Sequence, residues 1–236
     1  MKLLAIDTAT EGCSVALWLD GAIHERFELA GREHSQRLLG MLHGVMADCG
    51  IALSEVDGIA CGVGPGSFAG VRIGVGFVKG LAMGLDRPVV AVSSLAMLAQ
   101  GAIRLHGADQ VLAAIDARMN EVYFCRYAVA DGLAVAQGEA LVAPPAGLAL
   151  PAEGEYAAVG SGWKTHLEAL GEHTGATLSP LDGEALPHAR DALPLAQREF
   201  AAGRGIGAGE LLPVYLRNRV ALTKLEQEAA RKGPVK

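Results

Sequence analysis

The spacing of apolar residues changes register repeatedly along the first hundred positions. Leu3 to Ile6 is an unbroken apolar run that stops at Asp7, the pattern of a short buried strand. Thr8 to Gly12 is turn chemistry. Cys13 to Leu19 reads as a second strand closed by Asp20-Gly21, a strong hairpin signal, and Ala22 to Leu29 as a third. From Glu33 to Asp48 the period lengthens: Leu38, Leu42, Val45, Met46 and Cys49 share one helical face, and Gly50 ends the helix. Gly58 to Cys61 follows as a strand, then a helix from Phe68 to Leu85 with Ser67 placed as its N-cap, a strand at Pro88 to Val92 and a helix from Ser94 to Leu105.

The second half begins as the first does. Leu112-Ala113-Ala114-Ile115-Asp116 echoes Leu3-Leu4-Ala5-Ile6-Asp7, and Glu121 to Val129 runs to Asp131-Gly132 as Cys13 to Leu19 ran to Asp20-Gly21. A repeated strand–Asp–turn–strand–Asp-Gly unit points to a duplicated domain. After Pro144-Pro145 the pattern loosens, leaving a strand near Tyr156 to Val159, a helix after Gly162 and a helix from Ala189 to Ala202. The expected class is α/β: two RNase H-like subdomains of βββαβα type, the architecture of the actin-like ATPase fold. Pure βαβ repetition would instead mean a Rossmann or flavodoxin-like sheet. The expected division is 1–105, 106–220 and a tail at 221–236.

Composition narrows the function classes. About half of the residues are apolar, which suits a folded globular chain. The net charge of −6 offers no broad attraction for nucleic acid or an anionic membrane. The end of the chain is the exception: from Val214 onward Arg217, Arg219, Lys224, Arg231, Lys232 and Lys236 outnumber Glu226 and Glu228, and such a tail reads as a solvated end. Cys13, Cys49, Cys61 and Cys125 form no CxxC pair and read as small core residues of a reducing compartment. Asp7 comes too early for a signal peptide, and no run approaches the roughly 20 apolar residues of a membrane span. A cytoplasmic protein is expected.

Gly62 to Gly76 is the most informative stretch. A phosphate cradle is one reading, since Gly64-Pro65-Gly66-Ser67-Phe68-Ala69 fits a loose dinucleotide fingerprint and Asp86 lies where a ribose-binding acid would stand. The context opposes it, because three antiparallel strands precede the loop. No Lys-Ser/Thr follows for a Walker loop, and Pro65 breaks the G-x-S-x-G elbow. A tight structural turn is the second reading. The third is a contact surface. At about 100° per residue Gly70, Gly74, Gly76, Gly80 and Gly84 share an arc of roughly 160° with Ile73, Phe77 and Leu81. Val71, Val75, Val78 and Ala82 form a separate apolar face, with Arg72 and Lys79 as the polar stripe between. A helix apolar on two sides must be covered on two sides, once by its own sheet and once by a second surface. Five helical glycines cost about 0.8–1 kcal/mol each against alanine, which close backbone approach by another helix would offset. Gly40, Gly44 and Ala47 make a similar strip on the preceding helix, so both helices are expected at a partner interface.

Catalytic machinery is not legible. The seven histidines form no H-x-x-x-H or H-E-x-x-H pair, so no metal site is expected. His34 reads as a capping or surface residue. Asp7 is the best single candidate for chemistry, since an acid ending the first strand faces the cleft in actin-like ATPases. Asp7, Thr8 and Thr10 are therefore the candidates for residual nucleotide binding. The turn is unfavourable, however: Ala9 stands where glycine would help, Glu11 would repel phosphate, and no second phosphate hairpin follows Asp116. No catalytic residue and no cofactor is expected. A free-standing actin-like ATPase or small-molecule kinase using Asp7 is the alternative.

Six motifs in order resemble one family: Leu4-Ala5-Ile6-Asp7-Thr8, His34-Ser35-Gln36-Arg37-Leu38, Gly64-Pro65-Gly66-Ser67-Phe68, Gly70-Val71-Arg72-Ile73-Gly74, Asp116-Ala117-Arg118 with Glu121-Val122-Tyr123, and Pro213-Val214-Tyr215-Leu216-Arg217. Together they resemble TsaB, also called YeaZ. Ala69 replaces the threonine usual there, and Asn120 a common glycine. The resemblance implies an actin-like ATPase fold with degenerate nucleotide machinery and a heterodimer with TsaD, the related subunit that carries metal-binding histidines and the active site. It implies TsaE, an ATPase, as third component, and self-association to a homodimer. The assembly's reaction would be transfer of a threonylcarbamoyl group from its adenylate to the adenosine beside the anticodon, in tRNAs reading codons that begin with A. The N-terminal helices would contact both TsaD and the second copy, in agreement with the glycine arc. This chain would then be a non-catalytic scaffold without a membrane association.

Overall fold

The computed structural model describes residues 1–217; Arg219, Lys224, Arg231, Lys232 and Lys236 lie outside the described residues. β1 (Leu3–Asp7), β2 (Gly12–Leu19) and β3 (Ala22–Leu29) form an antiparallel meander. α1 (His34–Cys49), β4 (Gly58–Gly62), α2 (Phe68–Leu85), β5 (Val89–Val92) and α3 (Ser94–His106) follow. The second set is β6 (Gln110–Arg118), β7 (Glu121–Ala130), β8 (Leu133–Ala136), β9 (Leu141–Ala143), β10 (Glu155–Val159), α4 (Ser161–Thr165), α5 (Leu167–Gly171), β11 (Thr177–Asp182) and α6 (Ala189–Ala201).

Both sheets share one strand order. The first runs β3-β2-β1-β4-β5 and the second β8-β7-β6-β10-β11, with β9 added on β7. In each, the first three strands are antiparallel and the last two run parallel to the central one. The repeat visible in the sequence is thus a repeated sheet. Its two hairpins even turn alike: Asp20 and Gly21 have φ of 50° and 85°, Asp131 and Gly132 of 51° and 75°, the positive pair that a two-residue type I′ turn requires. β9 and β11 were not expected from the sequence: β9 is only three residues long, and β11 holds Pro180 and lies among glycines and prolines.

Five layers result. Leu4 and Ile6 of β1 face α1 and α2, whereas Leu3 and Ala5 face the opposite way, toward a middle layer of α3 and α6. The middle helices are exchanged relative to chain order. α3 packs on β6, β7, β8 and β10, while α6 returns from the second half to pack on β1, β2, β4 and β5. The far face of the second sheet is covered by α4 and α5 through Trp163 and Leu170. Among the described residues all four cysteines are free thiols, three of them buried. α2 is also long and apolar enough, by length and composition alone, to cross a membrane: 18 residues of mean hydropathy 1.4, with 33% of the span buried in the chain. That qualifies the expectation that no such run exists, and its cause is a helix with only two charged residues.

After α6 the chain returns as a strap. Ile206 bridges Val89 at the sheet edge, and a single helical turn at Ala208–Glu210 lies against α2. Lys79 Nζ donates to the Gly209 carbonyl at 3.1 Å, and the Val214 N–H donates to the Val63 carbonyl at 2.9 Å. Arg72 Nε donates to the Tyr215 hydroxyl at 2.8 Å. Arg217 then reaches the second half, pairing with Glu121 and donating to the Arg118 carbonyl at 3.3 Å. The polar stripe of α2 read from the sequence is the seat of this strap.

Candidate functional site: a plugged turn, an open helix face and an inter-lobe groove

Asp7 ends β1 with no solvent exposure. One carboxylate oxygen accepts the Ala9 N–H at 3.2 Å, and the other, Oδ1, has no hydrogen-bond partner among the described residues. Gly62 leaves it room, since a Cβ there would overlap Oδ1. Burial pushes the Asp7 pKa up to about 7, against the smaller opposing pull of the Ala9 N–H and of His188. The folded pKa thus lies above the unfolded value. The group costs nothing at low pH, where it is protonated in both states, and stability falls as pH rises from about 4 through 7. A shift of this size corresponds to at most about 4 kcal/mol. Asp7→Asn is expected to flatten that slope and to be more stable than the parent by about 2 kcal/mol or more at pH 8. Urea denaturation at pH 5 and pH 8 measures it, and parallel pH profiles of the two proteins would refute the assignment.

Thr8 is equally buried, and its hydroxyl donates to the Gly70 carbonyl at 2.7 Å. A Cβ at Gly70 would overlap the Thr8 carbonyl oxygen, and one at Gly74 would stand 2.5 Å from Thr8 Oγ1. A Cβ at Gly66 would overlap the Ala9 carbonyl oxygen, which accepts the Ser67 N–H at 2.7 Å. The β1–β2 turn is therefore plugged into the start of α2, where Ser67 caps the helix by accepting the Gly70 N–H at 3.3 Å. Asp7 and Thr8 present no surface to a phosphate. Thr10, 8% exposed, reaches the edge of the groove described below. His34 is buried rather than a capping or surface residue: its Nε2 lies 2.9 Å from the Thr10 carbonyl oxygen and anchors the same turn. Asp86, the supposed ribose acid, is the left-handed C-cap of α2.

The glycine arc consequently divides. Gly70 and Gly74 are taken up by the chain's own turn, contrary to their placement on an interface. Gly76, Gly80 and Gly84 are exposed, and a Cβ on any of them would meet nothing within 4 Å among the described residues. Ile73, Phe77 and Leu81 are half-buried at the border of the core, and Met83 is 70% exposed. On α1 Gly40 is open, whereas the Arg26 guanidinium, held by Asp48 at 2.8 Å, lies over Gly44. Leu39 beside Gly40 is 51% exposed. Helical spacing correctly placed these residues on one arc. It could not distinguish the edge turned toward Thr8 from the edge turned outward.

A groove between the two sheets, which sequence reasoning did not find, joins two cavities of about 410 and 720 Å³ that share Gly66, Phe68, Tyr123 and Arg217. On one wall the Arg72 guanidinium lies 3.2 Å above the centroid of Phe68 and beside Tyr215, whose ring is 6.2 Å from Phe68. The other wall is the end of β6. There Asp116 accepts from Arg118 and faces His166 Nε2 at 3.3 Å. Arg118, Met119 and Asn120 all have positive φ, near 60°. A side chain in this conformation costs about 1–2 kcal/mol, least for asparagine, and such strain gathers at functional sites. The sequence signals were scattered: Arg72 was read as part of a stripe, Asn120 as standing in place of glycine, and Phe68, Arg118, Tyr123, Tyr215 and Arg217 only as members of separate motifs. Among the described residues no group of three or more His, Cys, Asp or Glu side chains gathers to hold a metal ion.

A family model described as TsaD, tRNA N6-adenosine threonylcarbamoyltransferase, matches residues 23–180. The chain is 47% identical over 231 residues to the Escherichia coli K12 protein described as tRNA threonylcarbamoyladenosine biosynthesis protein TsaB, covering 95% of this chain and 98% of that one. It is 41% identical over 236 residues to the Haemophilus influenzae protein of the same description, with 95% and 97% covered. A solved structure described as YeaZ from Pseudomonas aeruginosa matches with a TM-score of 0.85 at 47% identity, over 91% of this chain and 99% of that one.

Proposed function

The chain belongs to the TsaB (YeaZ) family and serves tRNA threonylcarbamoyladenosine biosynthesis; from that premise we propose that it is the non-catalytic subunit that binds and activates a TsaD-like transferase. The assembly transfers a threonylcarbamoyl group to the adenosine beside the anticodon of tRNAs reading A-starting codons, with a TsaE-like ATPase as third member. On this reading it works in the cytoplasm, and its tRNA substrate supports that.

The observation that carries this reading is the open half of α2. Three exposed glycines in a helix cost about 0.8–1 kcal/mol each, and nothing within the described chain uses the space they leave. A second helix can approach such a flank closely, with Phe77 and Leu81 as ridges, and Leu39 and Gly40 of α1 are exposed as well. A second copy of this chain would use the same face, so self-association and binding of the TsaD-like subunit compete. Reconstitution tests the proposal. The chain alone should transfer nothing to tRNA, and adding it to TsaD-like and TsaE-like subunits should restore modification. Turnover by the isolated chain, or full activity without it, would reject the role.

A further inference from the structure

The groove between the lobes carries features that partner binding on α2 leaves unused. Phe68 is 60% exposed at the first turn of α2, and Tyr215 is 48% exposed on the strap opposite. With the Arg72 guanidinium flat over the Phe68 ring, they form a planar, polarisable wall that contributes nothing to the core. At the other rim the strained β6–β7 turn holds Arg118, whose side chain is 88% exposed, and Met119, 73% exposed. The whole chain has a net charge of −6, yet the groove lining reverses that sign. Arg32, Arg72, Arg118, Lys164 and Arg217 line it, against Glu11 and Asp116. Lys164 and Arg217 are paired with Glu184 and Glu121, and Arg118 with Asp116. Arg32 and Arg72 have no carboxylate partner among the described residues.

We propose that this groove binds a single-stranded segment of RNA, its bases stacking on the Phe68–Arg72–Tyr215 wall and its phosphates meeting Arg118 and Arg32. Unpaired bases stack on aromatic rings and guanidinium planes while cations track the backbone. A base-paired helix hides its faces and cannot use such a wall. The inference rests on the reading of the chain as part of a tRNA-modifying assembly, and it deepens that reading by giving this subunit a hand in holding the substrate.

The test is fluorescence anisotropy of a labelled anticodon stem-loop RNA titrated with the isolated full chain, so that it does not depend on partner assembly. Phe68→Ala and Arg118→Glu are chosen because both side chains are exposed and their loss leaves the core intact. Each is expected to weaken binding by about 10-fold, the loss of one stacked base or one phosphate contact. The logarithm of the binding constant should fall with the logarithm of salt concentration at a slope of about −1.4, as two phosphate contacts to a single strand require. Gly80→Leu, which probes the partner face, should retain RNA affinity, so the two proposals fail separately. No RNA binding by the full chain, or unchanged binding by both variants, overturns the inference. So does loss of ATP binding in the variants with RNA binding intact, which would make the groove a free-nucleotide site. Loss of co-elution with a TsaD-like subunit in the same variants, again with RNA binding intact, would make it a protein interface and likewise overturn it.

Discussion

Gly80→Leu is expected to abolish co-elution with a TsaD-like subunit, weakening the contact by at least about 100-fold, while the protein remains folded. Gly80 lies on the outer edge of α2, and among the described residues nothing stands within 4 Å of an added Cβ, so the leucine starts into open space. In the helix it is favoured over glycine by about 0.5–1 kcal/mol, and the melting temperature should hold or rise. A partner helix seated against a bare flank would be pushed outward by the full depth of the side chain. Packed helices at 8–10 Å cannot absorb that displacement without losing their interdigitation. Gel filtration of the mixed subunits, with circular dichroism of the variant, reads both quantities. Unimpaired co-elution of a folded variant would remove the outer α2 edge from the interface. Gly74→Leu is not an equivalent probe: its Cβ would press on Thr8, and lost binding there would report a damaged fold.

Alanine at Gly70 and alanine at Gly80 should have effects of opposite sign on stability. At Gly70 the added Cβ overlaps the Thr8 carbonyl oxygen, a backbone atom held by β1 and by the Thr8–Gly70 hydrogen bond. Relief requires the turn to move off α2, which also disturbs the Ser67–Ala9 hydrogen bond. A loss of about 3 kcal/mol or more is expected, in the range of overpacked, rigid sites. At Gly80 the same change relieves only helical entropy and should add about 0.8–1 kcal/mol. Chemical denaturation of both variants decides the matter. A neutral Gly70→Ala would mean that the turn is not locked into the helix, and the account of Asp7 and Thr8 as closed to phosphate would fall with it.

Much of the architecture was legible because it rests on local patterns. The unbroken run Leu3 to Ile6, the alternation after it and the Asp-Gly hairpins specify strands whose partners lie next in the chain. The helical period and terminal signals located α1 and placed α2 at Phe68 to Leu85, with Ser67 and Gly50 as caps. The repeat of strand, aspartate and hairpin was enough to infer two like sheets. The candidate site was legible only in part. Spacing put Gly70, Gly74, Gly76, Gly80 and Gly84 on one arc; it could not tell that the last three stand open while the chain's own turn fills the space at the first two. The groove escaped notice because Phe68, Arg72, Arg118 and Tyr215 are brought together from three separated segments.

The sequence by itself determined which segments are strands and helices, the duplication of the sheet, and a helix apolar on two sides that needs two coverings. Those properties depend on periods of a few residues, and periodicity survives without knowledge of neighbours. Only the tertiary structure decided which covering is internal. The β1–β2 turn meets α2 across a separation of 62 residues and closes one edge of the arc, leaving the other bare. It also decided that α3 and α6 exchange sheets and that the strap carries Tyr215 and Arg217 across to the second half. A helical angle states the direction in which a residue points; what stands there is settled by contacts between residues far apart in sequence, whose pairing no local pattern encodes.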